Sequence, residues 1–150
     1  MKIGLDYIGV SAGAVITNDE GKYFLAKRGP ASRDDIGKWE FPGGIVDFYE
    51  SREEAVQRIL HEKHDLDIIP RRVLGVYDVI DQSNKDHWVS TTYVCRPAKG
   101  SEAKIMQPTK CVAIGWFTFD QLRTLQLSRI TRLNVADLRT PSLAAPQGVY

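Results

Sequence analysis

Charged side chains recur at four-residue steps just after a pair of glycines, and the residues of this ridge are Glu50, Glu54, Arg58 and Glu62. Residues four apart share one face of a helix, so these side chains would lie side by side. Carboxylate and carbonyl oxygens are the ligands that Mg²⁺ prefers, and the glycine pair Gly43–Gly44 lets the backbone approach such an ion closely. Ion pairs on an exposed helix face would explain the same ridge. The segment is therefore either part of a metal site or a solvated surface.

The spacing also matches a known motif, the Nudix box. That motif is glycine, five residues, glutamate, seven residues, then R-E-U-x-E-E-x-G-U, where U is bulky and apolar. Gly44, Glu50 and Arg58 occupy its first three fixed positions, and Trp39–Gly44 (WEFPGG) is similar to the W-x-F-P-G-G lead-in common in the family. The chain thus resembles the Nudix hydrolase superfamily, in its MutT-like form, over roughly Ile8 to Leu125.

The chain departs from the box where the resemblance places metal-binding carboxylates. Positions 59, 62 and 63 carry Ile59, Glu62 and Lys63. Ile59 has no ligand atom and fits the apolar stripe of a helix, while a protonated lysine cannot coordinate a metal. The two replacements raise the local charge by about three units, so the implied Mg²⁺ or Mn²⁺ is expected to bind weakly. Lys63 could instead attract a diphosphate directly or extend into solvent.

The resemblance assigns a role to each remaining residue of the motif. The implied catalytic residues are Glu62, Arg58 and Glu54. The implied metal ligands are the carbonyl of Gly43, Glu62 and Glu50, with a loop carboxylate such as Asp78 or Asp81 as an alternative. The residues expected to contact substrate are Arg28, Trp39, Phe41, Lys63 and His87, beside Trp88. Arg58 would orient the catalytic loop through a salt bridge. For Glu54 an exposed ion pair is the simpler interpretation, and for the aromatic residues core packing is equally plausible.

A helix from Ser51 to Asp65 is predicted to carry the box. Ser51 is a suitable N-cap. Asp65 replaces the final glycine of the box, and aspartate tolerates the left-handed conformation at a helix end. The apolar stripe consists of Ala55, Val56, Ile59 and Leu60. His61 and His64 are interpreted as surface residues, because their spacing is not that of a zinc-binding helix.

The rest of the chain alternates strand-like and polar segments. Tyr7–Thr17 is predicted to be a buried strand, with Lys22–Arg28 as its hairpin partner across a polar turn. Further strands are predicted at Ile68–Ile80, His87–Arg96 and Cys111–Phe117, and a helix at Ser128–Leu138. This order indicates one mixed α/β (α+β) domain over residues 1–139, with a loosely held tail at 140–150. The resemblance implies the Nudix fold, a mixed β-sheet between helices.

Composition limits the partners that can be expected. The chain has 150 residues and a net charge of +1, which argues against a surface built for nucleic acid or membranes. It contains no apolar run near the roughly 20 residues that span a bilayer. Cys95 and Cys111 fit free thiols, so a cytoplasmic protein is predicted. A homodimer is implied by the resemblance alone.

These observations support two main hypotheses. The first is a Nudix hydrolase that attacks a nucleoside diphosphate linked to another group, in the nucleotide or nucleotide-sugar class, with weakened metal-dependent activity. The second is a binding module that holds a nucleotide or diphosphate but has lost most of its catalysis. A purely structural subunit is a third and less favoured possibility.

Overall fold

The computed structural model describes residues 1–138, and the tail predicted at 140–150 lies outside the described residues. The strands are β1 (Gly9–Ile16), β2 (Tyr23–Arg28), β3 (Trp39–Glu40), β4 (Gly43–Ile45), β5 (Ile68–Asp81), β6 (Asp86–Pro97) and β7 (Cys111–Phe117). The helices are α1 (Arg52–His64), α2 (Phe119–Leu122) and α3 (Arg129–Leu138). Within residues 1–138, none of these helices combines the length and apolarity needed to cross a membrane.

The strands form two sheets flanked by helices, which confirms the mixed α/β class. The first sheet has the order β4-β1-β6-β5, and it is mixed because β1 runs parallel to β6 but antiparallel to β4. The second sheet has the order β3-β2-β7 and is antiparallel. Helix α1 packs on the first sheet against β1, β4 and β5, and α3 contacts β5 and β3.

The predicted hairpin of β1 and β2 is wrong. The polar turn does form, since the side chain of Asn18 accepts hydrogen bonds from the backbone of Glu20 and Lys22. Beyond it, an isolated bridge between Thr17 and Tyr23 joins the two segments, and the strands continue into different sheets. The second half of β1, from Ala14 to Ile16, is buried on both faces, and the strand pairs with β6 and β4 instead.

Alternate side chains of β1 enter two separate core clusters. Ala14 and Ile16 pack with the apolar face of α1, including Leu60. Val15 points to the opposite side of the sheet and packs with Leu25 of β2 in the second cluster. This alternation follows from the two-residue period of a strand. β1 therefore connects the helix that carries the box with the space between the two sheets.

The box helix has the caps that its sequence predicts. The Ser51 side chain accepts a hydrogen bond from the backbone N–H of Glu54 at 3.1 Å. At the other end Asp65 adopts the left-handed conformation, with φ 50° and ψ 32°, and its backbone N–H bonds to the His61 carbonyl. The predicted stripe is buried, and its members are Ala55, Val56, Ile59 and Leu60. The helix therefore begins and ends as expected, and the buried stripe sets its rotation.

His64 is a core residue, which corrects its interpretation as a surface histidine. It is 1% exposed, and its ring packs edge-on against Phe24 with 5.1 Å between centroids. A carbonyl can only accept, so the 3.0 Å contact between Nδ1 and the Lys104 carbonyl oxygen places a proton on Nδ1. The sequence did contain a signal for the burial of His64, because a position four residues after Leu60 continues the apolar stripe.

Replacing His64 by glutamine is expected to flatten the dependence of stability on pH. Burial lowers the pKa of His64, the bond to the Lys104 carbonyl opposes this, and the charge of Lys63 lowers it further. The folded-state pKa therefore lies below that of the unfolded chain, about 6.5. The stabilisation is complete above that pH and is lost as the pH falls toward the folded-state pKa.

Urea unfolding between about pH 8 and about pH 5 measures this effect. The wild type should lose more free energy of unfolding than His64→Gln over that range. His61→Gln is the matched control, because His61 is exposed on the same helix. Equal losses in the wild type and His64→Gln would contradict the assignment of a neutral buried imidazole.

Candidate functional site

A cavity of about 410 Å³ opens between the two sheets, and residues of both sheets line it. The basic residues in its wall are Arg28 of β2, Arg33 of the following loop, Lys63 of α1, Lys110 before β7 and Arg129 of α3. Another part of the wall carries Asp86 and Trp88 of β6. The cavity therefore combines positively charged groups with an aromatic and acidic surface.

Lys63 bonds to the backbone carbonyl that the resemblance assigns to a metal. It stands in the last turn of α1, beside β4, and its Nζ donates to the Gly43 carbonyl oxygen at 2.6 Å. Burial lowers the pKa of Lys63, the charge of Glu40 raises it, and the charges of Arg28 and Lys110 lower it. The ammonium group of Lys63 is thus bonded to the carbonyl oxygen that was predicted to bind a metal ion.

Ile59 packs beneath the glycine loop and is almost completely shielded from solvent. It is 2% exposed and belongs to the core cluster around α1. A Cβ atom built on Gly44 would lie 3.2 Å from Ile59 Cδ1, so the side chain lies directly against the loop backbone. The interpretation of Ile59 as a core residue agrees with this packing. Its position supplies no ligand to the site.

Arg58 ties the loop to the helix. Its Nε and Nη2 donate to the two carboxylate oxygens of Glu50 at 2.7 and 3.0 Å, and Nη2 also donates to the Ile45 carbonyl at 2.9 Å. Its Nη1 donates to Glu62 at 3.1 Å, and Asp47 lies 3.4 Å from Nη2. The hydrogen bonds from Arg58 hold the pKa of Glu50 below its usual range. The geometry is that of a positioning residue.

The residues present do not fit a divalent cation. Glu50 and Glu62 both accept hydrogen bonds from Arg58, and the Gly43 carbonyl accepts one from Lys63. Among the described residues, no group of three or more histidine, cysteine, aspartate or glutamate side chains could hold a metal ion. The alternative loop ligand Asp81 is paired with Arg129 at 3.2 Å.

Glu40 is a site residue that the sequence patterns did not reveal. Arg28 Nη1 donates to both of its carboxylate oxygens, at 2.9 and 3.0 Å, and Arg28 Nη2 donates to Asp34 at 2.8 Å. Burial raises the pKa of Glu40, while the charges of Arg28 and Lys63 lower it. A charged residue between Trp39 and Phe41 in a short apolar strand was the signal that could have identified it.

Trp88 forms a rigid part of the cavity wall. Its indole Nε1 donates to Asp86, and the guanidinium group of Arg33 lies over the ring, 4.8 Å from its centroid. Arg33 also pairs with Asp86 at 3.3 Å. The ring lies against Gly4 and Gly9, where any Cβ atom would come within 2.6 Å of it. Trp88 is therefore held on several sides and serves both packing and the cavity surface.

The structure brings only some of the predicted residues to the cavity wall, and those are Arg28, Phe41, Gly43, Lys63 and Trp88. Trp39 is placed in the second core cluster, where its ring packs against Phe117 at 5.0 Å. His87 is directed to the other face of β6, because alternate residues of a strand face opposite sides. The box residues outside the cavity lining are Glu50, Glu54, Arg58 and Glu62.

Comparison with known proteins agrees with this fold. A sequence model of the NUDIX domain matches residues 8–137, so the chain belongs to the NUDIX family. The crystal structure of a MutT NUDIX hydrolase from Burkholderia pseudomallei superposes with a TM-score of 0.78 at 31% identity, covering 89% of this chain and 99% of that one. A MutT-like protein of Streptomyces ambofaciens is 26% identical over 143 residues, 94% of this chain and 85% of that protein. The CTP pyrophosphohydrolase of Escherichia coli K12 is 46% identical over 50 residues, 33% of this chain and 36% of that enzyme.

Proposed function

We propose that the protein hydrolyses a nucleoside diphosphate linked to another group, and that its metal-dependent turnover is weak. The observation that carries this proposal is the cavity in which Arg28, Lys63 and Lys110 share a wall with the Gly43–Gly44 loop. Its volume falls within the roughly 300–1,000 Å³ of small-molecule sites. The basic groups suit the phosphates of such a ligand, and Trp88 with Asp86 suits its base.

The chain's own residues explain why turnover should be weak. Hydrolysis of a phosphoanhydride needs positive charge at the phosphate oxygens and an activated water. Lys63 supplies positive charge, whereas Arg28 is already paired with Glu40 and Asp34. Ile59 and Lys63 stand where the Nudix box has carboxylates, so two groups that would recruit a metal ion and activate water are missing. The family membership supports a hydrolase, and the similarity to a CTP pyrophosphohydrolase supports a nucleotide substrate.

A catalytically impaired binding module is the second candidate. The observation that favours it is the 2.6 Å hydrogen bond from Lys63 to the Gly43 carbonyl. That bond replaces the metal contact on which the usual chemistry depends, but it leaves the cavity available to a ligand. The two candidates therefore share a ligand class and differ in turnover.

A substrate screen distinguishes the two candidates. CTP, other nucleoside triphosphates, ADP-ribose and sugar nucleotides would be incubated with and without Mg²⁺ or Mn²⁺, and phosphate release and binding measured in parallel. We expect slow turnover that responds weakly to added metal. Robust metal-dependent turnover that is lost in Glu62→Gln would exclude the binding module. Failure of every compound both to bind and to react would contradict the proposed function itself.

A further inference from the structure

We propose that the ammonium group of Lys63 takes the place of a metal ion at the Gly43–Gly44 loop. The protein then binds the diphosphate of its ligand directly, without a divalent metal ion. The proposal rests on the function proposed above, because it concerns the same cavity. It adds that the mode of phosphate binding differs from a metal-bridged one.

The first support is the geometry of the ammonium group. Lys63 Nζ donates to the Gly43 carbonyl at 2.6 Å, which uses one of its three protons. In the described part of the chain no carboxylate pairs with Lys63, although its side chain lines the cavity. The other two protons are therefore available to acceptors of a ligand. Phosphate oxygens make strong charge-assisted hydrogen bonds with such donors.

The second support is the charge balance around Lys63. Glu40 is its acidic neighbour, but Arg28 donates to both oxygens of that carboxylate. Lys110 adds another positive charge at the cavity wall, and within residues 1–138 it takes part in no ion pair. Lys110 is exposed to solvent, whereas Lys63 is half-buried and shares its nearest carboxylate, Glu40, with Arg28. A bound anion would offset the charge of such a half-buried ammonium group. A diphosphate brings more than one negative charge to this wall.

The third support is the fixed position of the carbonyl. A Cβ atom on Gly43 would lie 2.7 Å from the Ala12 carbonyl oxygen, so β4 lies too close to β1 for any side chain there. Arg58 also binds the Ile45 carbonyl at the far end of β4. These contacts hold β4, and the bond to Gly43 in turn holds Lys63. The ammonium group is therefore placed before a ligand arrives.

Calorimetric titration with inorganic pyrophosphate and with CTP tests the proposal, each in excess EDTA and again in Mg²⁺. The wild type should bind both compounds in EDTA. Lys63→Met should lower that affinity about tenfold or more, because it removes hydrogen bonds to a charged group. Lys104→Met is the matched control, since that exposed side chain pairs with Asp65 outside the cavity. Thermal unfolding of each variant checks that it is folded.

The results separate this proposal from the broader one. Binding in EDTA that falls in Lys63→Met but not in Lys104→Met supports Lys63 as the cation. Binding that requires Mg²⁺ in the wild type overturns the metal-free mode but leaves the nucleotide function standing, and this comparison needs no variant. Absence of pyrophosphate and CTP binding under both conditions would overturn the metal-free mode. The substrate screen described above would then test the proposed function with other compounds.

Discussion

Arg58→Ala is expected to lower kcat/KM about a hundredfold on the nucleotide that the screen identifies, since small displacements of positioning groups have effects of that size. Arg58 bridges Glu50 and Glu62 to the Ile45 carbonyl, so its loss removes one of the contacts that hold β4 and the Gly43 carbonyl in place. Steady-state kinetics measures the effect on turnover, and calorimetric titration measures the effect on ligand affinity. Affinity should fall together with turnover.

Two variants serve as references for Arg58→Ala. Arg58→Lys keeps the charge but loses the bidentate contact with Glu50, so an intermediate loss of kcat/KM is expected. Arg52→Ala removes an arginine of the same helix whose side chain bonds to Thr91, away from the loop, and should retain activity. Wild-type kinetics in Arg58→Ala would show that the loop does not depend on this arginine.

Gly43→Ala is expected to destabilise the fold by about 1–3 kcal/mol, the usual range for overpacking a filled space. The new methyl group would lie 2.7 Å from the Ala12 carbonyl oxygen and 3.1 Å from Gly13 Cα, which are both backbone atoms of β1. β4 must then move away from β1, which also displaces the carbonyl that Lys63 binds. Urea unfolding and pyrophosphate titration measure the two consequences.

Gly44→Ala is the matched control for this prediction. The three atoms nearest to its Cβ would be side-chain carbons of Ile59, at 3.2 to 3.5 Å, and a side chain can yield by a few tenths of an ångström more easily than a paired backbone. The loss of stability should be smaller, and Ile59→Val in the same chain should recover part of it. Equal losses in Gly43→Ala and Gly44→Ala would show that contact with the β1 backbone is not the decisive factor.

Local sequence patterns were sufficient for the elements that satisfy their own hydrogen bonds. The caps Ser51 and Asp65 and the buried stripe of α1 were predictable, because capping and a 3.6-residue period depend on near neighbours. The strands β5 and β6 were predicted for the same reason, although their pairing with each other was not. The box spacing also identified the loop, Arg58 and the missing carboxylates at Ile59 and Lys63 before any contact was known.

Pairing between distant segments could not be predicted in this way. Local turn chemistry favoured a hairpin of β1 and β2, whereas burial of both faces of β1 places it between β4 and β6. The choice of Trp88 over His87 as a cavity residue depends on which face of β6 meets the second sheet. That orientation is set by packing across the cavity, which no single strand specifies.

The carboxylate ridge that suggested a metal site was visible in the sequence alone, and so was its incompleteness. Only the tertiary structure showed which group takes the place of the metal ion. Lys63 reaches the Gly43 carbonyl because α1 packs across β4, and Glu40 is committed to Arg28 because β2 and β3 are neighbours. Local spacing can determine which side chains share a helix face. The electrostatic interactions among the charged groups of the cavity depend on the distances between residues of different elements. Packing of the whole domain sets those distances.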